Sequence, residues 1–336
     1  MKHTPRAFGP AHRKDHPPAR SGLQAAPGPG FPIFVALAAF LAVSWALAAA
    51  PGGIQAQDPG FRPDPENPAS EVRIVPNPLD IGAPARVVLD DFGITLPPTG
   101  SFDNRPVFFF RTKDGWTGLF GADVMLKPGT LPLSLSYEKD GLAAGGAYDV
   151  TLKTKDYGER SINVPKSQVQ LSPADQERAA REKVLVDAAL ATVSPERLWS
   201  GEFLEPVNAS INSSFGRRTR MNGILNPRPH AGADYRAPVG APVRAPATGR
   251  VILTGDHFFA GNSIYIDHGQ GLITMYFHLS EILVTDGQMV EKGDEPIGLV
   301  GKTGRVTGAH LHYGVYLNGA RIDPSAFRKL TSNLDK

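Results

Sequence analysis

Residues 301–316 read GKTGRVTGAHLHYGVY, and the two histidines near the end of this run, His310 and His312, decide how the rest of the chain is read. The stretch is otherwise small and apolar and has the pattern of a β-strand entered from a glycine-rich turn. Strand side chains alternate between faces, so residues i and i+2 share one. Two imidazoles on one face burden a core and suit a metal. The chain has nine histidines, and six of them (His230, His257, His268, His278, His310 and His312) fall in its last third.

A second polar pair lies upstream. In RPHAGADYRAP, residues 228–238, His230 and Asp234 are four apart, and Gly232 removes a side chain between them. In an extended segment both face one way. Imidazole and carboxylate are both zinc ligands, and a third ligand from the His310/His312 pair leaves one position for water, the signature of a catalytic rather than a structural ion. With no cysteine in the chain, neither a disulfide nor a thiolate site is available, so any metal is held by His and carboxylate. His278, in TMYFHLS, sits near the end of an apolar strand. It is either a histidine tied to a strand terminus or a group that orients water or donates a proton. His268, in IYIDHGQG, reads as a turn histidine held by Asp267 or the backbone, and His257 reads as a loop residue at the cleft rim. The run PIGLVGKTG resembles a phosphate loop, but its first glycine position is Pro296 and no helix pattern follows Thr303. Neither H-E-x-x-H nor G-x-S-x-G occurs.

The rest of the 336 residues frames this cluster. Thirty-six glycines and 31 prolines favour turn-rich β structure. The net charge of +2 is uneven: residues 1–56 hold five Lys or Arg and one Asp, which leaves −2 for the remainder and gives no electrostatic reason for nucleic-acid binding. Residues 31–50, FPIFVALAAFLAVSWALAAA, are uncharged and follow a basic leader. Residues 1–56 therefore read as a signal peptide or an N-terminal membrane anchor, which places the chain outside the cytoplasm, in the periplasm or cell envelope. Residues 57–70 form a linker. Short apolar runs separated by PNP, KDG, KPG and AAGG over 71–165 predict an Ig-like antiparallel β-sandwich with no visible chemistry. In it, Val107–Phe110 suggests a strand buried on both faces. Residues 166–200 hold a connecting helix, with Ser172 as cap, Pro173 at the first helical position and Asp175 completing the capping pattern. Its charges read as a solvated face.

On SSFGRR, HAGADYRAPVGAPVRAPATGRV, GNSIYIDHGQGLITMYFHLSEI, DGQMVEKGDEPIGLVGKTGRVTGAHLHYGV and RIDP, residues 210–325 resemble the M23 family, the lysostaphin-like zinc endopeptidases of bacterial cell walls. The resemblance implies a mostly β chain, with an antiparallel β-sheet peptidase domain over 201–330 and its site in a groove across the sheet. It implies Zn2+ held by His230, Asp234 and His312, with His278 and His310 as the catalytic histidines and a peptidoglycan stem peptide or cross-link as substrate. Ala309 stands where the family usually has proline. RRTRMNGILNPRP lacks the tyrosine that some members place there. Two alternatives follow: an inactive-like domain that binds and activates another wall hydrolase, or a secreted protease of Gly-rich proteins.

Overall fold

The computed structural model describes residues 72–90, 93–163 and 171–334. The leader, its apolar run 31–50 and the linker lie outside the described residues. Among those described, no helix is long and apolar enough to cross a membrane.

The first nine strands are β1 (Val72–Val75), β2 (Leu79–Asp80), β3 (Pro84–Leu89), β4 (Thr99–Phe102), β5 (Arg105–Val107), β6 (Phe109–Thr112), β7 (Gly115–Gly121), β8 (Gly129–Lys139) and β9 (Leu142–Lys153). They make two sheets, ordered β1-β3-β7-β6 and β2-β9-β8-β4-β5. Leu79, Val87, Phe102, Phe120, Leu133 and Val150 from both sheets share one core. The apolar run at Val107–Phe110 is not one strand. The chain leaves one sheet after Val107 and enters the other at Phe109, and both of these side chains are buried. A residue crossing between layers meets apolar neighbours on both sides, which is why alternation fails there. Phe110 turns outward against Trp199, 6.0 Å between ring centroids.

After β10 (Glu159–Ile162) comes α1 (Pro173–Leu190), where the Ser172 hydroxyl accepts from the Asp175 amide at 3.1 Å. The remaining strands are β11 (Ser210–Ser213), β12 (Arg218–Met221), β13 (Ile224–Leu225), β14 (Ala233–Arg236), β15 (Pro242–Val243), β16 (Gly249–His257), β17 (Gly261–Asp267), β18 (Leu272–Ile282), β19 (Met289–Val290), β20 (Gly298–Val300), β21 (Leu311–Leu317) and β22 (Ala320–Ile322), before α2 (Pro324–Thr331). The main sheet runs β11-β14-β21-β18-β17-β16-β19, with β15, β20 and β22 attached, and its pairings are antiparallel. One face buries Tyr276, Leu311, Val315, Phe203 and Phe327. On the other, Tyr265, Ile273 and Met275 lie beneath Val186 and Leu190 of α1. The helix charges are not all solvated. Arg178 donates to the Asp256 carbonyl at 2.9 Å, and Glu182 accepts from the Phe258 amide at 2.6 Å, so a mostly polar helix docks through its charges as well as through Val186 and Leu190.

The two halves are joined by a buried ion pair. The Arg321 amide, Nε and Nη2 donate to Asp123 at 2.8, 2.9 and 2.7 Å. Burial alone raises the Asp123 pKa, but the hydrogen bonds from Arg321 and the Met125 amide outweigh it and hold the carboxyl below its ordinary value. Removing one partner of a fully buried pair costs about 3–5 kcal/mol. Arg321 keeps 24% of its side chain exposed, so Asp123→Asn is expected to cost less, about 2 kcal/mol, read as a lowered Tm. A depressed folded pKa contributes stability that is present above the unfolded value near 3.9 and lost as pH falls through the folded one. The Tm gap between wild type and variant should therefore close on acidification below about pH 4.

Candidate metal centre

The centre is built from the pairing of β14 with β21, in which Asp234 stands opposite His312. β21 also pairs with β18, which sets Phe277 opposite His312, and the Phe277 ring stacks flat on the imidazole at 5.1 Å and 9°. His230 enters from the loop before β14. Its Nδ1 lies 3.1 Å from the Ser214 carbonyl, which can only accept, so the proton sits on Nδ1 and Nε2 is left with its lone pair. That Nε2, the Asp234 Oδ1 and the His312 Nδ1 are each 3.0 Å from the other two. Among the described residues these three form a group able to hold a metal ion. Protons can satisfy three such atoms only in pairs, whereas one cation satisfies all three together.

Asp234 is buried, which raises its pKa, but His230 and His312 beside its Oδ1 outweigh this and hold the carboxyl well below the carboxylate range. His312 is pushed below the ordinary imidazole value, chiefly by burial. Both shifts favour the unprotonated forms that bind metals. Gly232 is required by close approach: a Cβ there would lie 2.6 Å from His312 Nε2 and would also meet the Tyr313 carbonyl.

His278 and His310 face the same cleft, their rings 4.8 Å apart. His310 precedes β21. Its Nδ1 donates to the Gly308 carbonyl at 2.8 Å, and its Nε2 lies 3.7 Å from Asp234 Oδ1. His278 is not at a strand terminus but inside β18, at a bulge. Between the Ile264↔Tyr276 and Asn262↔Leu279 pairs, β18 carries one residue more than β17. His278 takes up the extra residue with φ +66°, unusual for a non-glycine, and the bulge aims its ring into the cleft. Its Nδ1 donates to the Thr303 carbonyl at 3.0 Å. Burial, then the neighbouring charges of His312 and His310, push its pKa down to about 3.

Thr303, in the rejected phosphate-loop match, turns out to be the support of His278. Its hydroxyl donates to the Leu279 carbonyl at 2.7 Å and accepts from the Asn262 amide at 2.9 Å. Gly261 permits this packing, with φ +62° and the Thr303 and Gly304 backbone where a Cβ would sit. Nothing in the spacing of GKTG signals that role. The other two histidines lie elsewhere. His257 is buried, bonded to Ser263 Oγ at 2.7 Å, and is not at the rim. His268 is held by the Thr248 carbonyl and Thr274 Oγ1, at 2.8 and 2.7 Å, rather than by Asp267. The cleft, of about 270 Å³, is also lined by Arg160 and Ile162 of β10, from the stretch that showed no chemistry in sequence.

The profile of Peptidase family M23 matches residues 228–324, which contain His230, Asp234, His278, His310 and His312. A crystal structure from Pseudomonas aeruginosa, described as a candidate M23 peptidase, is 33% identical with a TM-score of 0.59, over 76% of this chain and 96% of that one. The chain belongs to peptidase family M23. It is similar to two proteins of Vibrio cholerae serotype O1 named as peptidoglycan DD-endopeptidases. ShyA is 43% identical over 113 residues, 34% of this chain and 26% of that protein. ShyB is 32% identical over 198 residues, 54% of this chain and 43% of that protein. The chain thus spans less than half the length of these curated M23 relatives.

Gly232→Ala should displace His312 and press on the Tyr313 carbonyl of β21, so it is expected to lower Tm as well as metal affinity. Divalent-cation affinity, measured by competition with a chelator at a temperature where the variant is folded, is expected to fall by about tenfold or more. Unchanged affinity would mean that His312 does not need that space.

Proposed function

We propose that the chain is a zinc-dependent endopeptidase hydrolysing peptide bonds in peptidoglycan stem peptides or cross-links. The observation that carries this reading is the meeting of two imidazole nitrogens and one carboxylate oxygen, 3.0 Å apart, beneath two further histidines in one cleft. Zinc suits that donor set. Tetrahedral bonds of about 2.0–2.2 Å put neighbouring donors roughly 3.3 Å apart, and three protein ligands leave the fourth position to water or substrate. When bound, zinc polarises the scissile carbonyl and brings the pKa of its water to about 7.

The protein's part is positioning and proton transfer. His230, Asp234 and His312 hold the ion. His310, with Nδ1 committed to Gly308, presents Nε2 to the attacking water and takes its proton. His278, with Nδ1 committed to Thr303, also presents Nε2. The proton taken by His310 is the one the leaving amine needs; relayed through His278, whose ring is 4.8 Å away and whose charged form burial disfavours, it passes to that amine and leaves both imidazoles neutral. No step needs a covalent enzyme intermediate. The names of ShyA and ShyB and the exported-type leader support a substrate in the cell wall and a periplasmic or envelope location, with residues 31–50 either removed or retained as an anchor.

Purified full-length protein should release muropeptides from isolated sacculi, identified by mass spectrometry. A chelator should stop the reaction and added zinc should restore it. His312→Ala is expected to lose both zinc and activity. His278→Ala and His310→Ala should keep zinc and lose about 10²–10⁴-fold in kcat. Equal hydrolysis by wild type and His312→Ala would refute the metal mechanism.

A further inference from the structure

The lining of the cleft includes a strand from outside the matched family region. β10 pairs in parallel with β12, with Arg160 opposite Thr219 and Ile162 opposite Met221. Alternation then sorts the side chains. Arg160, Ile162 and Met221 line the cleft, while Glu159 and Arg220 pair with each other at 2.8 Å on the exposed side. Arg160 is half-buried and anchored at one point only, its Nε donating to Thr219 Oγ1 at 3.1 Å. Thr219 is itself buried, so the anchor is a fixed one. The two terminal nitrogens of Arg160 make no hydrogen bond or ion pair among the described residues.

The charge balance of the cleft gives this a direction. Among the described residues, Asp234 is the one acid in the lining, and it belongs to the metal-binding group. The other guanidinium of the lining, Arg305, packs over the Phe259 ring at 4.8 Å. Arg160 therefore presents a planar pair of N–H donors, held by its own Nε, to a cleft with no acid left to neutralise it. Such a fork matches a carboxylate through two parallel hydrogen bonds, which an ammonium cannot reproduce.

We propose that Arg160 is a specificity-determining residue that binds a free carboxylate of the peptide substrate, so that the site selects carboxylate-bearing peptides over their amidated counterparts. This rests on the endopeptidase reading above and narrows its substrate class. It also gives the N-terminal half a part in substrate recognition, because the residue arrives on a strand that precedes α1.

The test uses two wall-type peptides that differ only in a free carboxylate or a carboxamide beside the scissile bond. Binding is measured by calorimetry to the zinc-loaded full chain carrying His310→Ala to prevent turnover. The carboxylate peptide should bind about tenfold or more tightly than the amide. Adding Arg160→Ala should abolish the difference by weakening the carboxylate peptide alone. Arg160→Lys, which keeps the stem and charge but not the fork, should retain part of it and guards against a folding defect, with Tm measured for each variant. In the active background, Arg160→Ala should raise KM for the carboxylate peptide and change kcat by no more than about twofold. Equal binding of the two peptides by the chain with Arg160 intact, no binding of either, an equal loss for both in Arg160→Ala, or a kcat loss shared by both would each overturn the proposal. Selective, Arg160-dependent binding without hydrolysis of peptides or sacculi would refute the endopeptidase reading and leave this one standing. Hydrolysis of both peptides without selectivity would do the reverse.

Discussion

The site depends on one register, the pairing that sets Asp234 of β14 opposite His312 of β21. Side chains directly opposite on one face of a sheet are held close, and a slip of one residue sends every one of them to the other face. Here the register is held from both sides, because β21 is central and also pairs with β18. Tyr313 and Leu311 bury the reverse face of the same strand, so the core that stabilises the sheet also fixes which way the metal-binding residues point. His230 is added from a loop, and its Ser214 contact sets the tautomer that leaves Nε2 for the ion. Stability and ligand geometry thus share a cause.

The two catalytic candidates are placed by departures from regular structure. His310 sits just outside β21, and His278 occupies a bulge with a backbone conformation that a non-glycine residue adopts at a cost of about 1–3 kcal/mol. Thr303 and Gly261 hold that conformation, the first through its hydroxyl and carbonyl, the second by leaving room. The outcome is a pair of imidazoles with Nδ1 tied down and Nε2 available, beside a metal-binding group and not within it. That arrangement suits proton transfer more than it suits ligation.

The N-terminal half is not a passive neighbour. Asp123 grips Arg321 through three hydrogen bonds, and Phe110 packs on Trp199. β10 pairs with β12 and brings Arg160 and Ile162 into the cleft. A peptide lying across the histidines would therefore touch residues from both halves, which is how one peptidase sheet can acquire a preference from a strand far away in the sequence.

The mostly β character and the metal-binding residue types were legible in the chain itself, because strand periodicity and the H-x-x-x-D and H-x-H spacings are local properties. Alternation alone put His310 and His312 on one face, and the capping pattern at Ser172 was readable from four residues. Other features were not. The run at Val107–Phe110 reads as one strand because a sheet crossover leaves no mark in polarity. His278 reads as a strand-end histidine because a bulge is a fact about two strands and not one. The docking charges of α1, the support given by Thr303 and the arrival of Arg160 all join residues tens of positions apart. The sequence alone determined which groups could bind a metal, since ligand chemistry belongs to the residue. Which of them meet, which nitrogen each imidazole presents and what else lines the cleft follow from strand pairing and packing between distant segments, which no local stretch records.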